Sequence, residues 1–181
     1  MRKLFIAGIA ACFLLLACNS DNTTTTDKKT DSTAVKEVKK NNPSENLMSF
    51  KVNGEDVTTT AWNISEFDPG NGAGMSLNIT SNMHEQPKTV DFNINGNKPG
   101  SYALGSGVEF MKSPGKAYGN YRRDYKNDMM NPYSFDSGEF LIESIDLEKR
   151  TLNASFYGTV TNSKGEKLTI TDGRVINGKI K

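Results

Sequence analysis

The chain has 181 residues, with 22 Lys and Arg against 21 Asp and Glu, and 35% of its residues are hydrophobic. A formal net charge of +1 provides no electrostatic footprint for nucleic acid, so no nucleic-acid partner is expected. Two cysteines and one histidine are too few ligands for a zinc site of the His/Cys kind, so neither a metal nor a cofactor is expected.

Met1-Arg2-Lys3 gives a basic start, followed by an apolar run from Leu4 to Ala17. As a helix that run is roughly 21 Å long, short of the roughly 30 Å of a bilayer core. Residues 1–17 therefore read as a cleaved secretory signal peptide. Its end, Leu15-Leu16-Ala17-Cys18, resembles the bacterial lipobox. That resemblance implies a diacylglycerol on the Cys18 sulfur, cleavage after Ala17 and a further acyl chain, such as palmitate, on the new amine. Two or more chains hold a protein on a membrane durably, at about 0.8 kcal/mol per buried methylene. Lipidation of Cys18 would thus make the membrane a partner through the anchor alone. Cys12 leaves with the signal, so the mature chain keeps no pair for a disulfide.

After the lipidated cysteine, residues 18–46 are polar and charged, as in Thr23-Thr24-Thr25-Thr26-Asp27-Lys28-Lys29. Such composition cannot offset ordering entropy, and a disordered tether is expected. It would span roughly 30 Å as a coil and roughly 95 Å pulled straight.

Residues 47–181 read as one all-β domain, antiparallel, either a β-sandwich or a barrel-like meander. Met75-Ser76-Leu77-Asn78-Ile79-Thr80 and Val90-Asp91-Phe92-Asn93-Ile94-Asn95 alternate apolar with polar, and so does Leu152 to Val160, the period of a half-buried strand. Strands are expected at 48–53, 56–64, 75–81, 89–95, 101–104, 108–112, 116–122, 139–147, 151–161, 166–172 and 174–180. Asn53-Gly54 signals a tight hairpin, and Asp172-Gly173 reads as a turn. From Gly138 to Ile170 a three-stranded meander is expected. Its inward set is Phe140, Ile142, Ile145 and Leu147, then Leu152, Ala154, Phe156 and Val160, then Leu168 and Ile170. The change of register between Ile142 and Ile145 predicts a bulge near Glu143-Ser144.

Gly138-Glu139-Phe140-Leu141-Ile142-Glu143-Ser144-Ile145-Asp146, Leu152-Asn153-Ala154-Ser155-Phe156 and Leu168-Thr169-Ile170-Thr171-Asp172-Gly173-Arg174-Val175 resemble the ending of a family of Bacteroidota cell-envelope lipoproteins. Phe50-Lys51-Val52-Asn53-Gly54 with Trp62 is similar to that family's opening, and Gly100-Ser101-Tyr102 to its centre. The resemblance spans about 47–181. It implies an anchored all-β domain and carries no catalytic residues.

Motifs for chemistry are sparse. His84 sits in a polar turn without a nucleophile elbow nearby. Ser113-Pro114-Gly115-Lys116 has the Ser-x-x-Lys spacing of penicillin-binding proteins, but Pro-Gly between strand-like segments reads as a hairpin turn. Asp68 to Gly74 offers oxygen ligands without the carboxylate count of a calcium loop. Glu109 with Glu139 could flank a glycosidic bond only at a suitable separation. The segment Lys112–Tyr133 is the most unusual, with cations and tyrosines interleaved. Tyrosine and arginine offer large contact area with polar reach, so Tyr118, Tyr121, Arg122, Arg123 and Tyr125 are the expected ligand-binding residues, for a protein or glycan partner.

The whole reads as a lipid-anchored cell-envelope lipoprotein on the outer membrane, facing either the periplasm or the cell surface, and presenting a non-enzymatic binding or accessory domain. Two alternatives stand beside it: an envelope hydrolase using carboxylates, and an inhibitor or immunity lipoprotein. A buried carboxylate pair in a cleft would favour the hydrolase, and a contiguous exposed Tyr/Arg patch would favour binding.

Overall fold

The computed structural model describes residues 46–70, 74–82, 84–105, 107 and 113–181. The expected signal peptide, Cys18, the expected tether up to residue 45, Glu109 and the strand expected at 108–112 lie outside the described residues. The strands are β1 (Leu47–Val52), β2 (Glu55–Thr59), β3 (Trp62–Phe67), β4 (Ser76–Ser81), β5 (Thr89–Ile94), β6 (Gly100–Gly105), β7 (Lys116–Arg122), β8 (Tyr133–Asp146), β9 (Thr151–Thr161) and β10 (Lys167–Lys179), with a one-turn helix α1 (Tyr125–Asp128). They form a single sheet in the order β2-β1-β10-β9-β8-β6-β7-β5-β4-β3. Its described pairings are antiparallel except β6 with β7, which run parallel. The sheet curls until it is nearly closed, so the architecture is barrel-like.

Period-two patterning explains the curl. Along β9, Leu152, Ala154, Phe156 and Val160 are buried while Tyr157 is exposed, so one side of the strand faces the interior throughout. Val90, Phe92 and Ile94 of β5 do the same from across the barrel. The interior is filled by aromatic rings. Phe92 lies 5.5, 4.9 and 4.9 Å from Phe135, Phe140 and Phe156, and Phe140 stacks on Phe156 at 6.0 Å. Such pairs add about 0.5–1.5 kcal/mol each beyond the area they bury. Two glycines make room for the rings. A Cβ on Gly119 would sit 2.7 Å from the Phe92 ring, and one on Gly173 would sit 2.4 Å from the Phe156 carbonyl oxygen. The interior is a packed core, which leaves the strand ends and outer wall for any site.

The two ends of the sheet meet through the last residues. Ile180 bridges Ile64 of β3 in parallel, and the Lys181 amide donates to the Ile64 carbonyl at 2.8 Å. Trp62 is 3% exposed and its Nε1 donates to the Asn46 carbonyl at 3.0 Å. The Asn46 amide donates in turn to the Asn177 carbonyl at 3.2 Å. β1, β3 and β10 are thereby tied at one seam.

Asn53 and Gly54 both take positive φ, 48° and 87°, so the expected hairpin is a type I′ turn joining β1 to β2. The expected bulge is present as a register shift between Ile142 and Ser144. The other boundaries move. The strand expected at 56–64 is two strands, because the chain crosses at Thr60-Ala61 from one edge of the sheet to the other, with the Thr59 hydroxyl accepting from the Ala61 amide. Asp172-Gly173 is no reversal: the strands expected at 166–172 and 174–180 are both β10, with Asp172 at φ 53° in a register shift between Ile170 and Gly173. β8 begins at Tyr133, six residues before the strand expected from 139, because Tyr133 and Phe135 are core residues at 0% and 1% exposure. Leu147, expected inside, is 49% exposed in the turn after β8. Pro114-Gly115 is a turn leading into β7. The strand expected before that turn, 108–112, lies outside the described residues.

Candidate functional site

Strand alternation separates the five expected binding residues. Tyr121 points inward and is 1% exposed. Its ring stands edge-on to Phe50 at 6.2 Å and tilted to Tyr133 at 6.1 Å. Arg122, one residue on, points outward and pairs with Asp91 of β5 at 2.5 Å, the two side chains only 15% and 18% exposed. Asp91 also accepts from the Ser81 amide at 2.8 Å, so this pair staples β4, β5 and β7 together. Tyr118 lies on the same outer wall, its hydroxyl accepting from Asn120 Nδ2 at 2.6 Å. Tyr125 opens α1 and meets His84 edge-on at 6.2 Å. The five residues therefore do not form one contiguous exposed Tyr/Arg patch. Period two sends Tyr121 to the core, and Arg122 is committed to a carboxylate.

Tyr121 and Arg123 do come together, at one end of the barrel. Val52, Asn53, Glu55, Lys88, Tyr121, Arg123, Glu166 and Leu168 line a cleft of about 380 Å³. Local sequence fixes each wall. The β1–β2 hairpin brings Asn53 and Glu55, and Asn53 is held by its Oδ1 accepting from the Thr169 amide at 2.9 Å. The turn before β10 is built by Asn162, whose Oδ1 accepts from the amides of Lys164 and Glu166, both at 3.0 Å. Arg123 sits in a loop braced from both sides. The Asp124 carboxylate caps α1 by accepting from the Lys126 amide at 3.0 Å, and Asp128 accepts from the amides of Arg123 and Asp124 at 2.8 and 3.1 Å.

The rim carries four charges in two pairs. Lys88 Nζ meets Glu55 Oε2 at 2.9 Å. Arg123 donates to both Glu166 oxygens, at 2.9 and 3.4 Å, and lies over the Tyr133 ring at 5.0 Å from its centre. The Tyr133 hydroxyl donates to Glu166 Oε2 at 2.6 Å, and Asn162 Nδ2 to the same oxygen at 3.3 Å. The Tyr133 hydrogen bond, followed by the Arg123 charge, outweighs desolvation and holds the Glu166 carboxyl below the usual range. It stays ionised and is unsuited to act as a proton donor.

The two tyrosines go the other way. Burial pushes both hydroxyls up to about 12, aided for Tyr133 by its bond to Glu166. Both remain protonated donors at neutral pH. Tyr133 has its acceptor. Tyr121 lines the cleft, whereas the buried side-chain atoms left without a hydrogen-bond partner among the described residues are Gln86 Nε2, Thr89 Oγ1 and Arg122 Nε. A neighbouring hollow of about 350 Å³ is lined by His84, Glu85, Gln86, Pro87, Asp124, Tyr125 and Lys126.

Glu166 supplies a pH test. A folded value below the unfolded one gives stability that is present above the unfolded carboxyl value, about 4.3. That contribution is lost as pH falls through the folded value. Below about pH 4.3, the denaturant midpoint of the native chain should therefore fall more steeply than that of Glu166→Gln. Parallel curves would mean that the Tyr133 and Arg123 contacts do not bias this carboxyl.

Glu55, Lys88 and Glu166 were not singled out by sequence. Each stands beside a turn, and nothing local announces that residues 55 and 88, or 123 and 166, face one another. Among the described residues no group of acidic, His or Cys side chains is placed to hold a metal ion. Glu139, one of the carboxylates considered for hydrolysis, accepts from the Ser101 hydroxyl on the outer wall. No family model, no curated protein and no solved structure matches the chain.

Proposed function

We propose that this protein is an envelope lipoprotein, held on the outer membrane by acyl chains on Cys18, whose β domain is a non-enzymatic binding module. The observation that carries the binding half is the cleft itself, whose wall combines Tyr121, Arg123, Lys88, Glu55 and Glu166. Its cations, Arg123 and Lys88, are already neutralised by Glu166 and Glu55. The anchoring half rests on the Leu15-to-Cys18 signal, the polar segment that follows and the resemblance to Bacteroidota envelope lipoproteins. The tether then lets the cleft reach a protein or a glycan beyond the membrane surface.

Two measurements test this. In phase partitioning with a nonionic detergent, the native chain should enter the detergent phase, and Cys18→Ser should leave most of it in the aqueous phase. Equal partitioning would remove the lipid anchor from the proposal. For binding, capture from envelope extracts should weaken in Arg123→Ala, while Arg174→Ala, an exposed arginine paired with Glu143 on the outer wall, should not change it. Loss in both or in neither would move the site elsewhere.

A further inference from the structure

We infer that the cleft at the barrel end takes an uncharged sugar ring, one or two units long, rather than a charged or zwitterionic ligand; this rests on reading the cleft as the binding site. Its volume, about 380 Å³, is at the small end of the roughly 300–1,000 Å³ range of ligand pockets. The choice among small ligands comes from how the rim charges are used. Each cation already meets its carboxylate at 2.9 Å, Lys88 with Glu55 and Arg123 with Glu166. The rim is neutral as a whole. A carboxylate or an ammonium group entering it would have to compete with a pair already made.

A hydroxyl faces no such competition. It donates and accepts at once, and a paired carboxylate keeps spare lone pairs while a paired ammonium keeps spare protons. Adjacent hydroxyls on a sugar ring can therefore bridge Lys88 and Glu55 without separating them. The Arg123–Glu166 pair offers the same on its side. Tyr121, protonated at neutral pH, adds a hydroxyl to the wall of the same cleft. Val52 and Leu168, buried at 7% and 9% exposure, provide apolar floor for a C–H face. Charged groups that are already paired, one tyrosine hydroxyl and a small apolar floor together describe a site for a polyhydroxylated neutral molecule.

The test is a ¹H–¹⁵N titration of the complete chain with cellobiose, maltose and chitobiose. In parallel come glycine and dialanine as zwitterions, each read at the amides of Asn53, Lys88, Arg123 and Leu168. A neutral sugar should shift these amides, with an affinity unchanged between low and moderate salt. Tyr121→Phe, which keeps the ring and removes the hydroxyl, should weaken it about tenfold, with the unfolding midpoint reported alongside to show that the barrel is intact. If the zwitterions move these amides and the sugars do not, the sugar inference falls while the cleft stands as the site. If no probe moves them, both fall. An affinity in Tyr121→Phe equal to that of the native chain also overturns the inference.

Discussion

Phe156→Ala is expected to destabilise the domain by about 3–5 kcal/mol. Phe156 stands where three other rings converge, 5.9 Å from Phe50, 4.9 Å from Phe92 and stacked 6.0 Å from Phe140. These neighbours come from β1, β5 and β8, separate strands that cannot all move into the space left by the ring. Removing it therefore forfeits transfer energy, ring–ring contacts and a cavity term together. Set against a typical domain stability of about 5–15 kcal/mol, that is a large fraction. Urea unfolding followed by far-ultraviolet circular dichroism would measure it. Tyr157, adjacent in sequence but 55% exposed, is the control, and Tyr157→Ala should stay within about 0.5 kcal/mol. Similar losses from the two would mean that the rings do not converge inside the sheet.

Gly173→Ala should destabilise by about 1–3 kcal/mol or more, although it adds a single methyl. The new Cβ would lie 2.4 Å from the Phe156 carbonyl oxygen and 2.5 Å from its ring. The ring could turn aside, but the carbonyl belongs to the β9 backbone, paired with Gly173 itself. Relief would need the two strands to separate. For that reason Gly173→Ala combined with Phe156→Leu should recover little of the loss. A stable Gly173→Ala, or full rescue by the smaller side chain, would show that the strands are not in such close approach. Gly173 and Phe156 are thus the hollow and the knob of one contact.

Alternation made most of the barrel readable. Phe92, Phe140, Phe156 and Ile170 were assigned inward from periodicity, and the Asn53-Gly54 turn from its dipeptide, because both signals are local. Even the register shift after Ile142 was visible, since a skipped apolar position has no other use in a strand. What failed was decided at longer range. Asp172-Gly173 has the composition of a turn, and only the Phe156 ring across the pair explains why a glycine stands inside a strand. Thr60-Ala61 breaks a good alternating run because the sheet must close, which no window of neighbouring residues can express. The candidate site suffered most. Tyr121, Arg122 and Arg123 are consecutive and were grouped by composition, yet each has a different environment. The partners that give Arg123 and Tyr121 their setting, Glu166 and Lys88, lie far along the chain.

β1 sits between β2, its immediate successor, and β10, so that Leu47 pairs with Ile176 and Val52 with Ile170. One side of this strand is satisfied by a neighbour available at once, the other by the far end of the domain. Loop-closure entropy delays such long-range pairing, and topologies dominated by it fold in milliseconds to seconds. The β8–β9–β10 meander can assemble early from consecutive segments, while β1 must wait for residues 170–176. A chain read out from its amino end would thus hold one side of its first strand unpaired almost until its last strand is made, so the barrel cannot close before synthesis is nearly complete.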